Sequence, residues 1–334
     1  MFEDLGEIPL KSGEVVSVGL VSGPDRHWCD RICDLLSHKG PLWNWQNREV
    51  LSKELGIQTT FYLLHREGAP FANVMNATLN GVGILGHVFT RESDRRKGAI
   101  SQLLRVQMAR FREQGGQALF LGTGFDSAAY HIYESLGFQG VEPQSGKMYF
   151  YVGDPTSFED TYFKRGNAAV ENLSWNHWPT SPALFMGDFP CAVRFVSVRL
   201  LGRESSEGPL LHLLQEEEGR MERRETPQVK VLRHTDTQAV LGMAGWRDHP
   251  LWPNAALVDI FCHPAFWERG QELLDALVLP TDRFAVSYND PSCPEKADVL
   301  SALGFKRSTL LKKRLRHKPS RADGVDVTVW ERNP

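Results

Sequence analysis

The chain has 334 residues, more than one domain usually holds, and its 41% apolar content is enough for two ordinary cores. A net charge of −3 and a pI near 6.4 argue against a protein that coats nucleic acid. No run approaches the roughly 18 apolar residues of a membrane span, the start MFEDLGEIPLKSGE lacks the pattern of a leader, and the five scattered cysteines suit reduced thiols. A soluble, cytoplasmic chain is therefore expected, with neither membrane nor nucleic acid as partner.

In chain order, residues 14–21 read as a first strand, and Pro24 and Asp25 open a helix to about Ser37 whose apolar positions Trp28, Ile32, Leu35 and Leu36 recur at helical spacing. Cys29 and Cys33 share a face of that helix and read as packed thiols, because no nearby His pair completes a zinc set. Residues 41–45, with Pro41, Trp43 and Trp45, read as a break, and 48–55 as a further short helix. Residues 57–65 and 71–79 are strands joined by a turn at 66–69, and Asn80-Gly81 turns into a third strand.

That third strand (Ile84, Leu85, Val88, Phe89) runs into a charged loop, 91–97, and a helix beginning near Gly98. Arg95, Arg96 and Lys97 supply positive charge, Gly98 permits a tight turn, and the helix start offers unpaired amides, a combination suited to phosphate or pyrophosphate. By itself this reading competes with that of a solvated basic turn. The helix buries Leu103, Leu104, Met108 and Phe111 and stops at Gly115-Gly116. An apolar strand, 118–121, and a helix, 126–136, follow, ending in Gly137-Phe138.

Strand, basic-Gly loop, helix, strand, and a helix carrying Tyr133-x-x-x-Gly137-Phe138 resembles the acyl-CoA-binding half of the GNAT acetyltransferase superfamily, over roughly residues 20–150. Of the family's Arg/Gln-x-x-Gly-x-Gly/Ala loop, Arg95 and Gly98 match, whereas Ile100 departs from the usual small residue. Asp126 and Ala129 stand where the family often has Asn and Ala.

The resemblance implies an α/β fold with a mixed, mostly antiparallel central sheet flanked by helices, and acetyl-CoA or another acyl-CoA as co-substrate, with no metal. It implies a cofactor site made of Val88, Arg95, Arg96, Lys97, Gly98, Ala99, Ile100, Ser101, Asp126 and Ala129. The amides of 96–101 would hold the pyrophosphate and the Val88 N–H would polarise the thioester carbonyl. Tyr133 would be the acid for the leaving thiolate.

His87 is read either as a base or acceptor ligand or as a satisfied core residue, with Glu92, Asp94 and Asp126 as nearby carboxylates and His131 on a face left open. Gly81 and Gly83 occupy the stretch where some family members carry a basic Glu. Trp43 and Trp45 either line an acceptor pocket or pack a lid onto the core.

The first domain is expected over residues 1–153, a structured linker over 154–185 and a second domain over 186–334. The second half reads as a faded copy of the first: hairpin strands 229–234 and 239–246, central strand 257–262, helix 266–277, strand 284–288, and a helix ending at Gly304-Phe305. It lacks the Arg-x-x-Gly pattern, has Glu268 in the loop, and carries Leu300 where the first half has Tyr133, so a non-catalytic tandem partner is expected. Its loop residues Trp246, Asp248, His249 and Trp252 either wall an acceptor site or form an ordinary hairpin tip.

The function expected is transfer of an acetyl or other short acyl group from acyl-CoA to the primary amine of a small molecule, with the identity of that amine and homodimerisation left open. The competing readings are a protein or peptide N-acetyltransferase and a non-catalytic acyl-CoA-binding scaffold.

Overall fold

The computed structural model describes residues 1–316 and 324–334. The chain divides into two compact units, Met1–Gln139 with Met148–Asp154, and Gly140–Lys147 with Pro155–Pro334.

The first sheet begins with β1 (Phe2–Pro9) and β2 (Val15–Ser22), followed by α1 (Arg26–Leu36) and α2 (Pro41–Ser52). β1 escapes a sequence reading because it is an edge strand exposed along most of its length, so no apolar alternation marks it. Asp25 caps α1 by accepting from the amides of His27 and Trp28 at 3.1 and 3.2 Å, and the helix buries Trp28, Cys29, Ile32, Cys33, Leu35 and Leu36. Cys29 and Cys33 lie buried on that face with sulfurs 3.9 Å apart. Pro41 corrects one expectation: it occupies the first turn of α2, where its missing N–H costs nothing, so residues 41–45 open the helix and do not break it.

β3 (Gln58–Arg66), β4 (Ala69–Leu79) and β5 (Val82–Thr90) form the antiparallel meander, and α3 (Ala99–Glu113) leads to β6 (Ala118–Gly122). α4 (Ala128–Glu134) starts two residues later than its sequence suggests, because Ser127 caps it through the Tyr130 amide. β7 (Gln139–Gly140) and β8 (Lys147–Tyr151) complete the order β1-β2-β3-β4-β5-β6-β8-β7. The sheet is mixed: β5 and β6 are parallel, while the pairs from β1 to β5 are antiparallel. One core binds β2, β3, β4 and β5 to α3 and α4 through Leu20, Tyr62, Val74, Leu85, Leu104 and Tyr133.

The second unit contains α5 (Pro155–Tyr162), β9 (Ala168–Asn172) and α6 (His177–Phe185), so the stretch expected as a linker contributes a sheet strand and a helix with every residue buried. A small ribbon of β10 (Val193–Phe195) and β11 (Leu200–Leu201) precedes α7 (Glu207–Glu222). β12 (Val229–His234), β13 (Val240–Asp248), β14 (Ala255–Cys262), α8 (Gly270–Asp275), β15 (Phe284–Asn289) and α9 (Pro294–Ala302) follow in the order anticipated for a repeat. β16 (Lys306–Leu315) and β17 (Val325–Arg332) close the sheet as β16-β17-β15-β14-β13-β12-β9.

The repeat extends to the registers. β5 pairs in parallel with β6 at Val82, Gly83 and Ile84, and β14 pairs in parallel with β15 at Ala255, Ala256 and Leu257, the first three residues in each case. Both final helices also end alike. Phe138 and Gly137 donate to the carbonyls of Tyr133 and Glu134, and Phe305 and Gly304 donate to those of Leu300 and Ser301. Gly137 and Gly304 adopt φ of 98° and 82°, the left-handed turn this helix stop requires.

Gly83 tests how tightly β5 is seated. A Cβ there would lie 2.0 Å from the Ala77 carbonyl oxygen, so β4 and β5 would have to part. Gly83→Ala should destabilise the first unit by about 3 kcal/mol, the upper end for overpacking, read as a lowered thermal midpoint; an unchanged midpoint would contradict this.

Candidate active site

The loop between β5 and α3 is held by a buried carboxylate. Asp94, with 8% of its side chain exposed, accepts from Arg66 at 2.8 Å and Lys97 at 2.9 Å, and Glu14 grips the other side of Arg66. Burial pushes Asp94 up, but the bonds from Arg66 and Lys97 outweigh it and hold the carboxyl at about 2. The amide of Lys11 donates to the Lys97 carbonyl at 2.9 Å, fastening the loop from another side. Lys97 is thus turned to the scaffold, while Arg95 and Arg96 remain exposed.

Arg96 and Gly98 both have left-handed backbones, with φ of 62° and 79°. The first turn bond, from Gln102 N–H to Gly98 carbonyl, measures 3.1 Å. The amides of residues 96–101 have no acceptor among the described residues. Six consecutive N–H groups lie at the positive end of a 15-residue helix, beside the exposed residues Arg95 and Arg96, an arrangement suited to an anion. Ile100 is accommodated because it packs against the core of the first unit.

Upstream, β5 is distorted. Met75 pairs with Gly86 and Asn73 with Phe89, so His87 and Val88 stand opposite the single residue Val74 in a bulge, and His87 has φ of 51°. Pairing with β6 has already ended at Ile84, leaving residues 85–90 without registered partners on that side. Val88, Ala129 and Ile100 pack against the cluster that contains Tyr133 and Ala99, so the core gathers five of the expected site residues. Asp126 is not among them: it is exposed and pairs with His131 at 3.0 Å, and Glu134 flanks the same imidazole.

His87 is buried against α2. Gln46 Oε1 can only accept, so His87 Nε2 carries the proton and donates to it at 2.6 Å. Asn73 Nδ2 donates to the His87 carbonyl at 2.8 Å, and Trp43 meets the imidazole edge-on with centroids 5.4 Å apart. Burial, reinforced by the charges of Lys39 and His38, lowers the His87 pKa to about 3. Gln46, Asn47 and Asn73 are fully buried, yet both polar atoms of Asn47 and Oδ1 of Asn73 have no partner among the described residues. Sequence reasoning missed Gln46 and Asn73, which lie 41 and 14 residues from His87 and carry no motif.

The second unit closes the corresponding places. β13 and β14 pair without a bulge from Gly242↔Cys262 to Asp248↔Ala256. After β14, Pro264 offers no N–H, the Ala265 amide donates to His263 Nδ1, and the Phe266 amide donates to the His263 carbonyl. A 3₁₀ segment, Pro264–Arg269, takes the place of the long helix start, and His263 is stacked on Phe163 at 4.4 Å.

Because His87 in the folded chain protonates only near pH 3, whereas the unfolded residue does so near 6.5, its contribution to stability is complete above about pH 6.5 and is lost as pH falls toward 3. Between pH 7 and pH 5 this amounts to about 2 kcal/mol. His87→Asn, which tolerates the left-handed backbone, should reduce the difference in urea stability between those pH values by that amount; an unreduced difference would contradict the burial assignment.

Residues 68–145 match the family model described as FR47-like protein. Among solved structures, the chain is similar to an N-acetyltransferase from Staphylococcus aureus Mu50, at 16% identity over 50% of this chain and 99% of that one, with a TM-score of 0.38. It is also similar to the ribosomal-protein-S5-alanine acetyltransferase from Vibrio fischeri, at 15% identity over 51% and 95% of the two chains, TM-score 0.36. A third likeness is to a GNAT superfamily phosphinothricin acetyltransferase from Sinorhizobium meliloti in complex with AcCoA, at 17% identity over 50% and 88%, TM-score 0.37. The comparison with curated proteins finds no match. The stretch that matches the FR47-like model carries β4, the bulged strand β5, the loop before α3 and the Tyr-Gly-Phe helix stop, within a chain of two similarly ordered sheets.

Proposed function

We propose that the first unit transfers a short acyl group, acetyl in the simplest case, from acyl-CoA to the primary amine of a small molecule, and that the second unit has no part in the chemistry. The observation that carries this reading is the row of open amides at 96–101, present in the first unit and closed by His263 and Pro264 in the second. A pyrophosphate accepts several N–H bonds at once, and Arg95 and Arg96 offset its charge.

The bulge at His87 and Val88, just past the end of the β6 pairing, is where the thioester would lie, with the Val88 N–H polarising its carbonyl. The neutral amine attacks the carbonyl carbon, the C–N bond forms and the C–S bond breaks. Tyr133 then protonates the departing thiolate. Its ring packs beside Phe138, and Leu300 holds the matching place in the helix stop of the second unit. The core position, with 6% exposure, keeps Tyr133 away from bulk water.

A pKa of about 3 makes His87 a poor base, so its part is to shape the bulge and, with Gln46, the polar wall beside it. The proton released by the ammonium passes to solvent, and Tyr133 regains a proton from the same pool before the next turnover. The unpartnered atoms of Asn47 and Asn73 favour a polar small-molecule acceptor over an apolar one.

Calorimetry with acetyl-CoA should give binding in the native chain and its loss in Gly98→Glu, which places a carboxylate in the loop and strains a left-handed position by about 1–2 kcal/mol. Binding in neither form would reject the acyl-CoA reading. In an amine screen that follows CoA release, Tyr133→Phe should lower kcat about 100-fold while leaving acetyl-CoA affinity unchanged; an unaffected kcat would remove Tyr133 as the acid.

A further inference from the structure

A separate concave site lies wholly within the second unit. A cavity of about 440 Å³, within the range of small-molecule sites, opens beside the first residues of β14 and β15 and is lined by Trp252, Pro253, Asn254, Ala255, Phe284 and Glu331. Its two aromatic residues keep unusually large areas in water: Trp252 is 42% exposed and Phe284 50%.

Trp252 is a fixed platform. The His249 ring lies 4.1 Å from it and 5° from parallel. His249 Nδ1 accepts from the amides of Leu251 and Trp252, both at 3.2 Å, which leaves the proton on Nε2 for the Tyr288 hydroxyl at 2.8 Å. The imidazole behind the indole is therefore neutral and tied on both sides, and the orientation of the indole is set before any ligand arrives. Among the described residues, no Lys or Arg of the chain lies over either Trp252 or Phe284.

One carboxylate completes the lining. Glu331 on β17 is opposite Val286 of β15, so it projects from the same face of the sheet as Phe284. Lys306 is its cross-strand neighbour on β16, yet Glu331 makes no ion pair among the described residues. Two presented aromatic rings, apolar walls and one carboxylate without an ion pair among the described residues are complementary to one ligand chemistry.

We propose that this pocket binds a small organic ammonium ion, its cationic head against the rings of Trp252 and Phe284 and its charge balanced by Glu331. A neutral apolar ligand would gain the contact area and forgo both electrostatic contributions, whereas an anion would be repelled by the carboxylate.

The test is calorimetry on the full chain with choline, a quaternary ammonium whose nitrogen cannot be acylated, so the result is independent of the activity proposed for the first unit. The comparison ligand is its uncharged carbon isostere, 3,3-dimethylbutanol. Choline should bind one per chain and about tenfold more tightly than the isostere, and both Trp252→Leu and Glu331→Gln should weaken it about tenfold. Glu331 is an exposed strand residue, so its variant keeps the test valid if Trp252→Leu fails to fold. No choline binding, equal binding of the isostere, or indifference to Glu331→Gln would each overturn the proposal.

Discussion

The first unit's site depends on one buried carboxylate. Asp94 draws Lys97 inward and fixes Arg66, itself held by Glu14 and lying over the Phe71 ring at 4.1 Å. Without that tie at Lys97, the loop would be a basic turn whose ordering entropy would be lost on ligand binding. With Asp94 ionised to about pH 2, the clamp persists across ordinary conditions and steadies the loop whose amides, 96–101, have no acceptor among the described residues.

The two units make an internal comparison. They share the strand order of the meander, a three-residue parallel pairing at the centre and a helix stop ending in Gly-Phe, all features that a packed sheet and helix need. They differ where a ligand would enter. The bulge becomes a regular ladder, the open helix start becomes a proline and a side-chain cap, and the tyrosine becomes Leu300. Divergence at those places is what loss of one ligand would leave.

Much of this architecture is written locally. The apolar runs of β3, β4, β5 and β6, the glycine at the start of α3 and the Gly-Phe stops carry their own signals, since each depends on periodicity or on a left-handed backbone that glycine adopts easily. The exposed β1, the proline-led start of α2 and the helix α7 do not. Their burial comes from partners far along the chain, or is slight, so their patterns are weak. The site divides in the same way. A basic-Gly loop is visible from its residues, but the Asp94 clamp needs Arg66, 28 residues away, and the neutral state of His87 needs Gln46 on a helix whose start is obscured by Pro41.

Hydrogen–deuterium exchange resolved to single amides, with and without acetyl-CoA, tests the central claim most directly. If the open amides are the pyrophosphate site, acetyl-CoA slows exchange across residues 96–101 and leaves residues 265–269 of the second unit unchanged. Unaltered exchange at 96–101, or protection that falls instead on 265–269, would contradict the account.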